Sequence, residues 1–169
     1  MRVLVAAASK HGATAEIADR IAEALNDSGL DAEVVNPEQL DTIDGYDAVV
    51  VGSAVYAGRW RREARELVAR IGASDPLPPV WLFSSGPLGD PPKPEEEPVD
   101  VAGIAEVTSA RGHRVFAGSL DKAKLSLGER AITRAVRAPE GDFRKWDEIT
   151  VWAEEIANIL KPGLQASPG

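Results

Sequence analysis

The residues with the clearest chemical potential form the turn Ser9-Lys10-His11-Gly12-Ala13-Thr14. It offers two hydroxyls, an ammonium group, an imidazole and a glycine that lets the backbone approach a ligand closely. Residues 2–7 before it read as a buried strand, and an amphipathic helical pattern opens directly after it. A strand that breaks into a small polar turn and passes at once into a helix aims free backbone N–H groups at one spot. Such a spot favours an anion, most often a phosphate. The competing reading is an ordinary strand-to-helix turn with Thr14 as the helix cap. Neither Gly-Lys-Ser/Thr nor G-x-G-x-x-G follows the strand, so the pattern left is Ser-x-x-Gly-x-Thr.

The elements that must position this turn alternate between strand and helix, which predicts a parallel sheet covered by helices. Strands are expected over 2–7, 32–35, 47–53, 80–84 and 114–118. Helices are expected over 15–26, 61–71, 101–111, 124–137 and 146–160. The run Val49-Val50-Val51 has the continuous β-branched character of a central strand. Residues 86–98, rich in proline and acid, form the longest irregular stretch, and the acids at 90–97 read as solvated. The expectation is a three-layer α/β sandwich with a five-stranded parallel sheet. Residues 1–161 would form its single domain, with a frayed tail over 162–169. In such open sheets ligands bind beyond the carboxyl ends of the strands, where the strand order reverses. The loops at that edge are 8–14, 54–60 and 85–98.

Composition narrows the chemistry. The chain has no cysteine, which removes thiol catalysis, disulfides and cysteine-ligated clusters and leaves any redox work to a bound cofactor. Two histidines in separate regions make a poor metal site, and His113 has no catalytic partner in the pattern. The net charge of -8 disfavours nucleic acid as a partner. No apolar run approaches the roughly 18–20 residues of a membrane span. With no signal-peptide pattern, the expected location is cytoplasmic. Trp81 and the stripe Trp146, Ile149, Trp152, Ala153, Ile156 and Leu160 read as core.

Ser9, Gly12, Thr14, Ala18 and Ile21 stand at the spacing of the flavodoxin signature, and the chain resembles that superfamily. The resemblance implies a flavodoxin-like sheet of order 2-1-3-4-5 with helices on both faces, and FMN as the cofactor. Ser9, Lys10, His11, Gly12, Ala13 and Thr14 would then wrap its phosphate. A deazaflavin phosphate would suit the same turn. Ala6 and Ala7 depart from the signature, standing where a bulky apolar and an aromatic residue are usual. The three alanines at 6–8 also lack the acids that a receiver-type regulator of this fold needs.

The same resemblance assigns the flavin ring to two further loops. Ala54, Val55, Tyr56, Ala57, Gly58 and Trp60 would supply backbone groups and an aromatic face from the first. Ser84, Ser85, Gly86, Pro87 and Leu88 would supply the second, with Leu88 in place of the usual aromatic. Within the superfamily, residues 52–58, 113–121 and 143–157 resemble the menaquinone-dependent protoporphyrinogen IX dehydrogenases. That implies an FMN-dependent oxidoreductase acting on a porphyrinogen or quinone, with no protein acid or base required. A substrate-free electron carrier meeting a redox partner protein, and a non-enzymatic module that has lost FMN, are the other readings. That family carries a long basic, apolar insertion before the last helix, whereas 125–142 is short here.

Basic charge is nevertheless concentrated over 111–137, with Leu127, Ala131, Ile132, Ala135 and Val136 on one helical face and Arg130, Arg134 and Arg137 on another. One reading is weak peripheral contact with an anionic membrane surface, or with porphyrin propionates. The other is an ordinary helix packed on the sheet with a solvated basic face. A homodimer is also compatible with the pattern.

Overall fold

The computed structural model describes residues 1–88 and 98–161. Most of the irregular stretch 86–98, including its acids at 90–97, and the tail from 162 onward lie outside the described residues.

The chain alternates as the periodicity requires. Strand β1 (Arg2–Ala8) leads into helix α1 (Ala13–Asp27), then β2 (Asp31–Val34), β3 (Ala48–Tyr56) and a two-residue β4 (Arg59–Trp60). Helix α2 (Arg62–Gly72), β5 (Val80–Ser85), α3 (Val101–Thr108) and β6 (Gly112–Phe116) follow. The chain closes with β7 (Ser119–Leu120), α4 (Leu127–Ala135), β8 (Gly141–Asp142) and α5 (Trp146–Leu160). The five parallel strands lie in the order β2-β1-β3-β5-β6, so the expected 2-1-3-4-5 sheet is present, with β4 folded back antiparallel on β3.

Both faces of the central strands are buried, and alternate residues serve opposite layers. Val3, Val5, Val50 and Phe83 pack with Ile17 and Ile21 of α1 and Ile149 and Trp152 of α5. Leu4, Val49, Val51 and Leu82 pack with Leu67 and Ile71 of α2 and Ile104 of α3. Trp81 and the Trp146–Leu160 helix lie where their patterning put them, with Trp146 packed at the margin of that first layer.

Two departures bear on the site. The stretch 54–60, expected as a loop, is instead the end of β3, a two-residue turn and β4. Ala57 and Gly58 both have positive φ, at 50° and 74°, as a tight hairpin that follows strand twist requires. The helix expected over 124–137 is shorter and stands apart from the sheet. It is an excursion between β7 and β8, which pair antiparallel through Ser119 with Asp142 and Leu120 with Gly141. None of its side chains is buried, so it does not pack its apolar face on the sheet.

Gly52 sits under an aromatic ring. A Cβ there would meet the Phe83 ring at 2.1 Å. That ring is fixed against Phe116 and Trp152, at centroid distances of 6.1 and 6.2 Å. Gly52→Ala is therefore expected to lower stability by about 1–3 kcal/mol through overpacking, measured by urea denaturation.

Candidate functional site

The parallel register brings the ends of β1, β3 and β5 to one edge of the sheet. Ala8 pairs with Ser53, and Ala54 with Ser85. The loops that leave this edge enclose a cavity of about 240 Å³. Ser9, Lys10, His11, Ala13 and Thr14 line it from the first loop, and Ala54, Val55 and Tyr56 from the second. Ser85, Gly86 and Leu88 line it from the third. Two hydrogen bonds tie the third loop to the strand beyond it: Gly86 N–H donates to the Phe116 carbonyl at 3.4 Å, and Gly118 N–H to the Pro87 carbonyl at 2.7 Å.

Six of the residues expected at the site do not line this cavity. Gly12 instead lines a neighbouring cavity over the ends of β1 and β2. Ala57 and Gly58 form the exposed hairpin turn, and Pro87 contributes its carbonyl to Gly118. Trp60 is 2% exposed, set within the α2 layer of the core, and its indole N–H donates to Ser84 Oγ at 2.8 Å. Ser84 is itself buried and lies 2.7 Å from His113 Nε2. Trp60, Ser84 and His113 thus form a polar tie beneath the loops. Tyr56, at 41% exposure, is the aromatic residue that faces the cavity.

The first turn places the start of α1 beside the cavity. Helix α1 begins at Ala13, so Thr14 lies inside its first turn and does not cap it. The capping position is Gly12, at φ 91°, and no side chain caps the helix. This left-handed geometry strains any residue with a Cβ. Ser9 Oγ accepts the Gly12 N–H at 3.1 Å, which shapes the turn. The first N–H groups of a helix have no acceptor within it and carry its positive dipole end.

One anion already stands there, and sequence reasoning did not find it. Glu129 of α4 places Oε1 2.9 Å from Lys10 Nζ and Oε2 2.7 Å from His11 Nε2. The carboxylate can only accept, so His11 Nε2 carries the proton in this contact. Hydrogen bonds from Lys10, then from His11, hold the Glu129 carboxyl down to about 2. Lys10 also lies 5.7 Å from the centroid of the Tyr56 ring, with the Arg61 guanidinium at 5.8 Å. Desolvation nevertheless pushes the Tyr56 phenol up. A separation of 118 residues hid the Glu129 contact, although Ser126-x-x-Glu129 is readable as a helix start.

The β7–β8 ribbon that carries α4 is anchored by Arg144. Its guanidinium grips Asp142 at 2.7 and 2.8 Å and reaches Glu16 of α1 at 2.6 Å. It also donates to the Ala13 carbonyl at 3.2 Å and lies over the Trp146 ring. The Asp142 bond is the main cause holding the guanidinium pKa above its ordinary value, and the same bond lowers Asp142. The far wall of the cavity comes from this unit: Gly118, Ser119 and Leu120, then Leu125, Ile132 and Thr133.

An open parallel α/β sheet with its cavity at the β1–β3 reversal defines a flavodoxin-like protein. The Flavodoxin domain family matches residues 4–147, and the chain belongs to that family. Among curated proteins it is similar to protoporphyrinogen IX dehydrogenase (quinone) of Escherichia coli strain K12, with 25% identity over 183 aligned residues, 98% of this chain and 100% of the relative. Among solved structures it is similar to a flavodoxin from the domain Archaea, at TM-score 0.64 and 16% identity over 95% of this chain and 99% of that one. A Streptococcus pneumonia TIGR4 flavodoxin gives TM-score 0.65 and 21% identity over 94% and 99%. The rubredoxin oxygen:oxidoreductase of Desulfovibrio gigas gives 0.67 and 16%, covering 98% of this chain and 37% of its own. The fold is flavodoxin-like, in agreement with the family match. Among the described residues no cluster suits a metal ion and no helix is long and apolar enough to cross a membrane.

The Glu129 carboxyl is lowered in the fold, so its contact with the turn is complete above its ordinary value of 4.5 and is lost as pH falls through about 2. An NMR titration of the Glu129 carboxyl carbon should therefore give a midpoint near 2, with the Gly12 and Ala13 amide resonances following it.

Proposed function

We propose that this chain is an FMN-binding oxidoreductase, and that its sharper activity is the quinone-linked oxidation of a porphyrinogen. One observation carries the cofactor reading. The cavity joins an anion-receptive turn, where the Glu129 carboxylate already stands in for an anion, to a largely apolar cleft containing one exposed aromatic ring. A flavin mononucleotide needs those two environments side by side. The donor set fits a phosphate: the α1 amides, the hydroxyls of Ser9 and Thr14, and the Lys10 ammonium.

When bound, FMN supplies one- and two-electron transfer, chemistry that belongs to the cofactor. The chain's own residues bind and orient it. Ser9, Lys10, His11, Ala13 and Thr14 would hold the phosphate, Tyr56 would offer a face for stacking, and Val55, Leu88 and Leu120 would keep water from the apolar part. Backbone groups of 54–56 and 85–86, which line the cavity, would supply hydrogen bonds to the ring. The porphyrinogen reading draws support from the similarity over nearly the whole chain to protoporphyrinogen IX dehydrogenase (quinone).

Purified protein incubated with FMN should quench flavin fluorescence and acquire a yellow band. Thr14→Val should weaken FMN by about tenfold, the loss expected for one hydrogen bond to a charged group, while leaving riboflavin unchanged. Anaerobic protoporphyrinogen should then bleach the bound flavin, and a quinone should restore its colour. Flavin that binds yet stays oxidised under protoporphyrinogen, while exchanging electrons with a reductase, would make the chain an electron carrier.

A further inference from the structure

Helix α4 is held in an unusual way. It buries no side chain, and Leu127, Ile132 and Val136 are 84%, 64% and 68% exposed. Apolar burial therefore contributes little to fixing it over the site. Among the described residues, its long-range polar contacts with the rest of the protein are those of Glu129 to Lys10 and His11. Its stem is firm by contrast, because β7 and β8 pair with each other and Arg144 pins that ribbon to the start of α1. The segment between the ribbon strands, 121–140, is thus a flap with a fixed base and, among the described residues, one charged fastening.

That fastening lies on the turn assigned above to a phosphate. Glu129 and a bound phosphate would call on the same two donor side chains, the Lys10 ammonium and the His11 imidazole. Two anions held within a few ångströms of each other repel. The cavity left under α4, about 240 Å³, also falls short of the roughly 300–1,000 Å³ usual for a site that encloses a cofactor-sized ligand. Ile132 and Thr133 of α4 form part of the wall that limits it.

We infer that Glu129 is an intramolecular anion that fastens α4 across the phosphate turn, and that a phosphate-bearing ligand displaces it, releasing α4 as it binds. This rests on the phosphate reading of the 9–14 turn. Glu129 thereby sets the affinity of the site for the phosphate end of its ligand, and occupancy of the turn sets the position of α4. No covalent step is involved. The exchange replaces one set of charge-assisted hydrogen bonds by another on Lys10 and His11.

The test has two arms on the full chain. In the first, dissociation constants for FMN and riboflavin are measured by fluorescence quenching for the wild type and for Glu129→Gln. The amide keeps the shape and removes the charge, so FMN should tighten by about fivefold or more while riboflavin stays unchanged. FMN affinity that is unchanged or weaker in the variant would overturn the inference and leave Glu129 a structural anchor. In the second arm, amide hydrogen exchange across 127–135 is followed with inorganic phosphate as the probe. Phosphate should speed exchange in the wild type, whereas Glu129→Gln should exchange fast from the start and ignore phosphate. Wild-type exchange indifferent to saturating phosphate would overturn the inference. If neither protein binds any flavin yet phosphate still frees α4, the flavin reading fails and the fastening stands.

Discussion

The side-by-side parallel pairing of β1 and β3 is the constraint on which the rest depends. From β1 the chain crosses through α1 to β2 on one side of it, then returns to place β3 on the other. Right-handed crossovers in opposite directions put α1 and α2 on opposite faces of the sheet. The loops after β1 and β3 therefore diverge and leave a crevice at the strand ends. Because both strands are buried on both faces, a one-residue slip would exchange the two packed layers. The register is thus strongly specified, and with it the position of the 9–14 turn opposite 54–56. Beneath the crevice, the Trp60–Ser84–His113 hydrogen bonds cross-link β4, β5 and β6 and keep the loop bases from drifting.

Much of this frame was legible in the sequence because long apolar patterns report burial directly. The β-branched run at 49–51 marks a central strand, and the stripe from Trp146 to Leu160 marks a helix against one sheet face. What was not legible has two physical causes. Short pairings carry no periodicity: β4, β7 and β8 have two residues each, and the hairpin turn is Ala57-Gly58 where Asn-Gly or Asp-Gly would have signalled it. Residue chemistry also does not report direction. Trp60 reads from its type as a ring for stacking, yet its indole N–H finds Ser84 and its body fills the core between β3 and α2. Tyr56, four residues earlier, has the same reading and faces the cavity.

The 9–14 turn gains a clearer description from this placement. Its glycine is there for backbone geometry, its Ser9 hydroxyl shapes the turn, and Thr14 lies in the first helical turn at the cavity wall. The donors Lys10 and His11 do not stand unanswered, since the Glu129 carboxylate accepts from both. An acidic chain with a net charge of -8 repels an approaching anion at long range. In the proposed phosphate site, capture would then rest on short-range donors, and hydrogen bonds to charged groups are the stronger ones available.

Helix α4 shows why the fastening and the helix are not independent. At nine residues it is too short to be stable on its own. Its start depends on Ser126, whose Oγ accepts the Glu129 N–H at 3.2 Å and donates to Glu129 Oε1 at 3.0 Å. The same Oε1 meets Lys10. One carboxylate therefore serves the helix cap and the contact with the turn together. Drawing it off Lys10 and His11 removes the long-range polar contacts that seat α4. It leaves the local cap, a contribution of about 1 kcal/mol, as the main support of a helix with no buried face. Order in α4 and occupancy of the turn then belong to one equilibrium, with the β7–β8 ribbon and Arg144 marking where the movable part ends.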